Sequence, residues 1–564
     1  MKPDPKLQTS LNFEDEVDPF EALRLSMAES ARRFAEDPEL EMNLGEACVR
    51  ALARRPGRIA IIDNTDGRKT MQSGLLLAVA WTLANRWRRT LEGTRVGVVL
   101  PPGIGATVVN LALVILGRIP VNLNFTIGTK AAHSCIQQSG LTTVVTATKL
   151  MEKYPHFPWP GDIRDITTEI KACSKPAIVA RTAMIRSLPV AAIVRMTGVP
   201  REGGDRELGL LFTSGSSGDP KGVALTHRNI MANALQIQNT GILPRGCLAL
   251  ACLPVFHSFG FTVTMWYPLV ADITIVSYPS PLDTRRLAEI IETDKVDVLI
   301  GSATFLRPFL RRAKPEQLAS LRFAVAGAER LPDELYKGFL DRFGVEIMQG
   351  YGLTETSPVV SVNRPADLDR NTEEVSRLGS VGLLIPGVEA KIISVDGQMV
   401  LPLGASGVLC VKGPNIFSGY LNSPELSSRV LQNGWFVTGD VGRFDEDGFL
   451  FIEGRLSRFS KIGGEMVPHV LVEEQILRVC RWDSLDEQVA VVLGVPDFSK
   501  GESLVLLTSR PVRVSVLRTK LLEAGLPNLW IPRSVHKVEG IPILATGKCD
   551  LRACQDLAEE LGKA

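Results

Sequence analysis

The pattern of apolar and polar positions changes character along the chain. From about residue 44 onward, short β-branched runs alternate with helix-like stretches: RVGVVL then TVVNLALVIL, followed by TTVVTA, LGLLFTS, ITIVSY, VDVLIGS and LRFAVAG. Uninterrupted apolar runs of this length suit strands covered on both faces, and their alternation with helices predicts βαβ units around mostly parallel sheets. Between Asp369 and Gly454 the runs shorten and turn signals crowd in (SVDGQ, RFDEDGFL), which predicts an antiparallel, barrel-like part. Beyond Gly454-Arg455, strand-like QVAVVLGV and ESLVLLTS are interspersed with helical patterns, so a small α+β unit is expected there. The predicted class is α/β, divided at 1–43, 44–454 and 455–564.

The first 43 residues hold eleven Asp/Glu against five Lys/Arg and read as a helical or loosely docked extension outside the main fold. Val96 to Gly117 carries no charge and approaches the length of a bilayer span. Pro101, Pro102 and Gly103 divide it, so a buried strand–loop–helix is expected instead. Residues 178–201 alternate apolar positions with Arg181, Arg186, Arg195 and Arg201. That pattern suits a connecting helix and strand, or a basic amphipathic piece lying on the inner face of a membrane.

A chain of 564 residues needs two or more cores. With 45% hydrophobic and 22% charged residues it has a globular composition, and a net charge of +1 offers no field for nucleic acid. Nine dispersed cysteines without CxxC spacing read as reduced thiols, and the N-terminal residues have no apolar signal core, so a cytoplasmic location is expected.

The strongest chemical signal is LLFTSGSSGDPKGV, residues 210–223. An apolar strand runs into glycines and hydroxyls, then Pro-Lys-Gly. Glycine lets consecutive N–H groups converge on phosphate oxygens. Thr213, Ser214, Ser216 and Ser217 add hydroxyl donors, Gly215 and Gly218 the freedom, and Lys221 a point charge. It is neither a Walker A loop, which needs Gly-Lys-Ser/Thr, nor GxGxxG. No GxSxG elbow of a hydrolase occurs outside this loop.

These residues are those of the phosphate-loop signature of the adenylate-forming superfamily, which includes acyl-CoA synthetases, nonribosomal-peptide adenylation domains and luciferases. The resemblance extends over nearly the whole chain after residue 44, with further motifs in order, and implies an AMP-binding domain over 44–454 holding acid and ATP sites. In QGYGLTETSP, 349–358, it implies that Gly350, Tyr351 and Gly352 wrap the adenine, that Thr354 touches the α-phosphate and that Glu355 holds Mg²⁺. In AVAGAERL, Gly327, Ala328 and Glu329 would form the floor beneath the base. GWFVTGD and GFLFIEGR would supply Asp440 and Arg455 to the ribose hydroxyls. In IPILATGKCDL, Lys548 would reach from the small, mobile domain to offset charge as the acid attacks the α-phosphate. His257 in PVFHSFGFTV reads either as a residue of the acyl entrance or as a satisfied core histidine.

Longer strings (LPVFHSFGFTV, YPSPL, LRFAVAGAERL, QGYGLTETSPVVSVN, KGPNIFSGYL, GRLSRFSKIGGEMV) are similar to the synthetase part of the bacterial 2-acylglycerophosphoethanolamine acyltransferase/acyl-[acyl-carrier-protein] synthetases. This branch implies a long-chain fatty acid as substrate, ATP and Mg²⁺ as cofactors, and acyl carrier protein as acceptor. The alternatives are CoA as acceptor, or a non-catalytic nucleotide- or acyl-binding protein. Ser457 and Arg458 stand where the superfamily has a Lys-Asp hinge, and Val470 stands where Glu is common. Lys461 and Gly464 match positions linked to thiol transfer. None of the six histidines has Asp five positions on, as the His-x4-Asp of an acyltransferase requires, so transfer to a lysophospholipid would need a separate protein.

Overall fold

The computed structural model describes residues 19–213, 219–366, 375–395, 397–462, 465–482, 488–497, 501–543 and 549–563. Ser214, Gly215, Ser216, Ser217 and Gly218 of the phosphate loop, Gly464 and Lys548 lie outside them.

The apolar runs named above become strands. A nine-stranded sheet runs in the order Leu383–Leu384, Val359–Val362, Glu346–Gly352, Phe323–Ala326, Val298–Gly301, Leu248–Ala251, Thr274–Ser277, Ile59–Asp63, Lys69–Gln72. Its six central strands are parallel and its margins antiparallel. Thr274–Ser277, Val298–Gly301 and Phe323–Ala326 are buried along their whole length, as helix-covered parallel strands must be. Leu248–Ala251 lies between the next two strands of the sequence, so the chain reverses its direction of travel across the sheet there.

A six-stranded sheet follows the order Asp162–Asp165, Thr143–Thr146, Arg95–Val98, Ile119–Asn122, Glu207–Thr213, Lys221–Thr226. The uncharged Val96–Gly117 stretch forms the inner strand Arg95–Val98 and the helix Ile104–Leu116. Between them Asp63 of the other sheet accepts the Ile104 N–H at 2.8 Å, capping the helix. A Cβ at Gly103 would lie 2.6 Å from Asp63 Oδ2, so the break in hydrophobicity is the place where the two sheets join. No helix among the described residues is long and apolar enough to cross a membrane.

Trp435–Phe444 is the centre of the expected antiparallel part, pairing with Gly407–Lys412, Leu431–Gln432 and Leu450–Arg455. The acidic extension is helical over Pro19–Ala35 and docks on this part through buried Met27 and Phe34. A Cβ at Gly387 (φ 83°) would lie 2.6 Å from the Phe34 ring. After Arg455 a separate sheet forms from Phe459–Ile462, Glu465–Pro468, Ala490–Asp497, Gly501–Thr508 and Ser534–Lys537, covered by the helices His469–Cys480, Val514–Glu523 and Leu551–Lys563. It has apolar cores of its own around Val472, Leu506 and Leu521, and around Val491, Leu507 and Ala558.

Residues 178–201 form the helices Lys175–Ser187, which packs beside the helix Ser73–Thr90, and Val190–Thr197, which packs beside the helix Leu44–Arg54. Arg181 donates to Thr82 Oγ1 at 2.7 Å and covers the Trp81 ring, and Arg186 donates to Gln72 at 2.8 Å. The segment is a connecting element, but it is built of two helices and not of the expected helix and strand.

Candidate active site

Four strands of the nine-stranded sheet end side by side where the chain reverses across it, the place where open α/β sheets form crevices. Ala251 leads through Leu253 to His257 and Ser258. Gly301 leads to Thr304, Ala326 to Gly327, Ala328 and Glu329, and Gly350, Tyr351 and Gly352 end the fourth. Both oxygens of Glu329 accept from Thr304, N–H at 2.7 Å and Oγ1 at 2.8 Å, so this carboxylate ties two strand ends together. Ala328 holds a left-handed φ of 69°, which costs about 1 kcal/mol or more outside glycine and clusters at functional sites.

The PVFHSFGFTV string forms an unexpected element: Phe259–Trp266 is a π-helix, a form enriched at functional sites. Its lead-in is so tight that a Cβ on Gly260 would lie 2.0 Å from the Pro254 carbonyl oxygen. The turn sets Phe259 against Gly327, where a Cβ would lie 2.9 Å from the ring, and Ser258 Oγ 3.2 Å from Thr354 Oγ1. His257 is exposed at the start of this element. The core-histidine reading is therefore corrected: the turn that buries Phe256 and Ser258 directs the intervening side chain outward.

The phosphate loop connects antiparallel strands. Thr213 and Lys221 are register partners at its mouth, so the loop is the tip of a β-hairpin and not a strand-to-helix turn. Residues 417–421 stitch this hairpin to the Glu355 turn. Leu421 N–H donates to Gly222 O at 2.8 Å, Tyr420 pairs with Val223 as an isolated bridge, and Phe417 N–H donates to Glu355 O at 2.8 Å. Tyr420 Oη then donates to Glu355 Oε1 at 2.8 Å, while its ring lies 5.6 Å from Lys221 Nζ. Burial and then the neighbouring Glu355 carboxylate push the Tyr420 phenol up, keeping it a protonated donor. Glu355 Oε2 has no protein hydrogen bond among the described residues. A half-buried carboxylate with one oxygen anchored and one open suits Mg²⁺, which takes one or two protein carboxylates alongside phosphates and water. No cluster of three or more ligating side chains is found among the described residues.

Asp440 is buried and accepts the Tyr351 hydroxyl at 2.5 Å through Oδ2 and Arg455 Nε at 2.7 Å through Oδ1. Burial raises its carboxyl, opposed by the Arg455 charge and the Tyr351 hydrogen bond. Burial also pushes the Tyr351 phenol well above its ordinary range, aided by the Asp440 charge. A carboxylate has about four lone-pair sites, so two remain for a diol.

Beyond Arg455 the expected thiol-transfer residues separate. Arg458 is buried, donating to Glu473 Oε1 at 2.5 Å and Val492 O at 3.0 Å inside the C-terminal unit. The Glu473 carboxyl is raised by burial against the pull of Arg458, and its Oε1 also accepts the Val492 N–H at 2.6 Å. Lys461 is exposed on Phe459–Ile462. An ion pair links this unit to the large domain: Arg330 Nη1 and Glu474 Oε1 are 2.6 Å apart.

Sequence reasoning missed Tyr420, Ser258 and Phe259 as site residues. All three lie in strings that stood out by resemblance, but only side-chain geometry links them to Glu355, Thr354 and Gly327.

The family model described as AMP-binding enzyme matches residues 48–421. The long-chain-fatty-acid–CoA ligase of Salmonella typhimurium is 31% identical over 356 residues, 62% of this chain and 61% of that protein. The match thus spans less than two thirds of that relative. The 4-coumarate–CoA ligase-like 4 of Oryza sativa subsp. japonica is 30% identical over 78% of this chain and 79% of its own length. A solved structure of Bacillus subtilis O-succinylbenzoate coenzyme A synthetase with ATP and a magnesium ion superposes with a TM-score of 0.74, covering 92% of this chain and 100% of that one at 24% identity.

Proposed function

The chain belongs to the AMP-binding enzyme family, and from that membership we propose that it activates a long-chain fatty acid as acyl-AMP and passes the acyl group to a pantetheine thiol. The observation that carries this reading is the convergence of segments up to 234 positions apart. Lys221, Tyr420 and Glu355 form one linked set, and Tyr351, Asp440 and Arg455 a second beside it.

Each group has a task that the chemistry requires. The Asp440 carboxylate, oriented by Arg455 and Tyr351, accepts both ribose hydroxyls. The small residues Gly350, Gly352, Gly327 and Ala328 leave room for the base beside Tyr351. Lys221 and the hairpin N–H groups hold the β- and γ-phosphates, and Thr354 contacts the α-phosphate. Glu355 would hold Mg²⁺, which would supply positive charge to the phosphates. The fatty carboxylate and the departing pyrophosphate are both anionic, so the Lys548 ammonium offsets repulsion as the acyl–phosphate bond forms. Thiol attack on the acyl carbon then releases AMP. Two reactions at one centre call for a C-terminal domain that rotates about Arg455–Arg458 and exchanges Lys548 for the Lys461 and Gly464 stretch. His257 lines the acyl entrance on this reading, and the tail enters a largely apolar pocket.

Free CoA as the acceptor is supported by the names of the relatives that this chain resembles, which are CoA ligases. Acyl carrier protein is the second reading, supported by the strings around Arg458. A separate lysophospholipid acyltransferase, and contact with the inner membrane face through exposed Val179, Leu188 and Met196, go with it. The test is fatty-acid-dependent ATP–pyrophosphate exchange across chain lengths. Absence of exchange with every acid overturns the ligase reading and favours a non-catalytic binding protein. Loading of CoA against holo carrier protein then decides the acceptor.

A further inference from the structure

Charge is divided unevenly over this chain, which has 63 Lys/Arg against 62 Asp/Glu in all. Four helices that pack against one another, Leu44–Arg54, Ser73–Thr90, Lys175–Ser187 and Val190–Thr197, hold nine Lys/Arg and one Asp/Glu. That one carboxylate, Glu46, is buried and taken by Arg50 at 2.8 Å. From Ile170 to Arg201 the sequence has six Lys/Arg and no Asp/Glu. Arg54, Arg88, Arg89, Lys175 and Arg195 are exposed, and none of them forms an ion pair among the described residues.

The packing gathers these cations. At the start of Ser73–Thr90, Arg186 donates to Gln72 at 2.8 Å, and a Cβ at Gly74 would lie 2.9 Å from Pro56, just past Arg54. At the other end of that helix Arg88 reaches the glycine that caps Val190–Thr197, where a Cβ at Gly198 would lie 3.5 Å from Arg88 Nη2. Aliphatic side chains stand out between the cations: Val179 is 69% exposed, Met196 44% and Leu188 39%. On Lys175–Ser187 only Ile185 is buried, while Lys175, Val179, Ala183 and Arg186 follow at the spacing of one outward row. Unpaired like charges and bare aliphatic side chains together favour a partner that is anionic and apolar at once. A bilayer surface is both, with its acyl boundary about 5–10 Å beneath the headgroups. Cations spread over four helices, and not gathered into one fork, suit a plane of mobile headgroups better than the fixed carboxylates of an acidic protein.

We infer that this four-helix face docks on bilayers that contain anionic phospholipid. Val179, Leu188 and Met196 enter the boundary between headgroups and acyl chains, and the surrounding Lys and Arg side chains hold headgroup phosphates while their stems lie along the apolar surface. The helices lie on the membrane and do not cross it. This deepens the membrane contact joined above to the carrier-protein reading by naming the face and the lipid chemistry. The docking stands without any acyl transfer; only its use, taking a fatty acid from the bilayer in which that acid dissolves, rests on the fatty-acid reading.

The test is cosedimentation of the full-length protein with vesicles of phosphatidylglycerol and phosphatidylethanolamine, or of phosphatidylcholine alone. It is run at about 0.1 M and about 1 M salt, between which the Debye length falls from about 10 Å to about 3 Å. The expected result is binding to the anionic vesicles that the higher salt releases, and little binding to phosphatidylcholine. Each basic side chain contributes about fivefold to partitioning, so Lys175→Gln with Arg195→Gln lowers it about 25-fold. Val179→Ser with Met196→Ser lowers it roughly tenfold while leaving the salt dependence in place. Neither pair touches the nucleotide site, so melting and vesicle-free ATP–pyrophosphate exchange stay at wild-type values. Equal binding to phosphatidylcholine, no binding to anionic vesicles, or Gln and Ser variants that bind like the wild type overturn the proposal. Retention on immobilised holo acyl carrier protein that the Gln variant loses, without vesicle binding, also overturns it and assigns the face to an acidic protein. Vesicle binding by a protein with no exchange supports the docking and counts only against the ligase reading.

Discussion

Tyr420→Phe is the sharpest probe of how the two halves of the site are joined. The substitution removes the hydroxyl that donates to Glu355 Oε1 at 2.8 Å and leaves the ring facing Lys221. Hydrogen bonds to charged acceptors contribute about 1.5–3 kcal/mol, and because Tyr420 is only half-buried the lower end applies, which is about tenfold in rate. Freed of its anchor, Glu355 must be ordered by the metal–nucleotide complex itself. Exchange is therefore expected to fall about tenfold, with half-maximal rate reached only at higher Mg²⁺. Tyr420→Leu also removes the ring, and a cation–π contact at an exposed site is worth about 0.5–1 kcal/mol. A further two- to fivefold loss, roughly, should then appear in KM for ATP. Exchange rates over a Mg²⁺ series with thermal melts of each variant make the measurement. A Tyr420→Phe enzyme within twofold of wild type at limiting Mg²⁺ would refute the reasoning.

Acid lability is expected to come partly from His227, whose ring accepts the Leu44 N–H at 3.0 Å and whose pKa burial and then Arg206 lower from 6.5 to about 4. The folded pKa lies below the unfolded one, so the unfolded chain binds the proton first. The contribution is whole above pH 6.5 and fades as pH falls, by about 2 kcal/mol at pH 5. His469, lowered to about 3 by burial and then Arg458, acts with the same sign in the C-terminal unit. Urea denaturation at pH 7 and pH 5 checks this, and equal stability at both would count against it. Glu474→Gln weakens a half-exposed contact with Arg330 worth at most about 1 kcal/mol. If the C-terminal unit must leave this position for thiol transfer, the transfer step gains up to about fivefold relative to adenylation. An unchanged ratio in single-turnover assays would exclude that coupling. Gly260→Ala places a Cβ 2.0 Å from a carbonyl oxygen, an overlap expected to cost about 3 kcal/mol and to lower exchange as Phe259 and Ser258 shift. Wild-type melting and exchange would show the backbone to be more tolerant than this. Lys548→Ala should lose adenylation yet still transfer from supplied acyl-AMP, and equal loss of both steps would oppose its assigned part.

The parallel strands were legible because burial on both faces leaves an uninterrupted apolar run, as in LRFAVAG and VDVLIGS. The break at Pro101–Gly103 separated strand from helix correctly. Asp63 as the cap that makes the break useful was not legible, because its partner is 41 residues away. The phosphate loop could be read as a loop, but not as a hairpin tip, since no local signal distinguishes a following strand from a following helix. The π-helix at Phe259–Trp266 was invisible for a related reason: one extra residue per turn leaves little trace in composition, and only Gly260 hints at the tightness. Resemblance places Arg458 at the hinge, whereas its buried pairing with Glu473 depends on a helix that the pattern suggests but does not position.

The stitch between residues 417–421 and the phosphate hairpin also sets an order of events during synthesis. Lys221 leaves the ribosome 199 residues ahead of Tyr420, an interval of roughly 10–40 s at usual elongation rates. Throughout it the hairpin has its strands but neither Gly222 nor Lys221 has its eventual neighbour, and Glu355 emerges with its anchor still untranslated. The nucleotide site is thus among the last features of the large domain to be completed, and a nascent chain halted before Phe417 would fold around its parallel sheets while remaining blind to ATP.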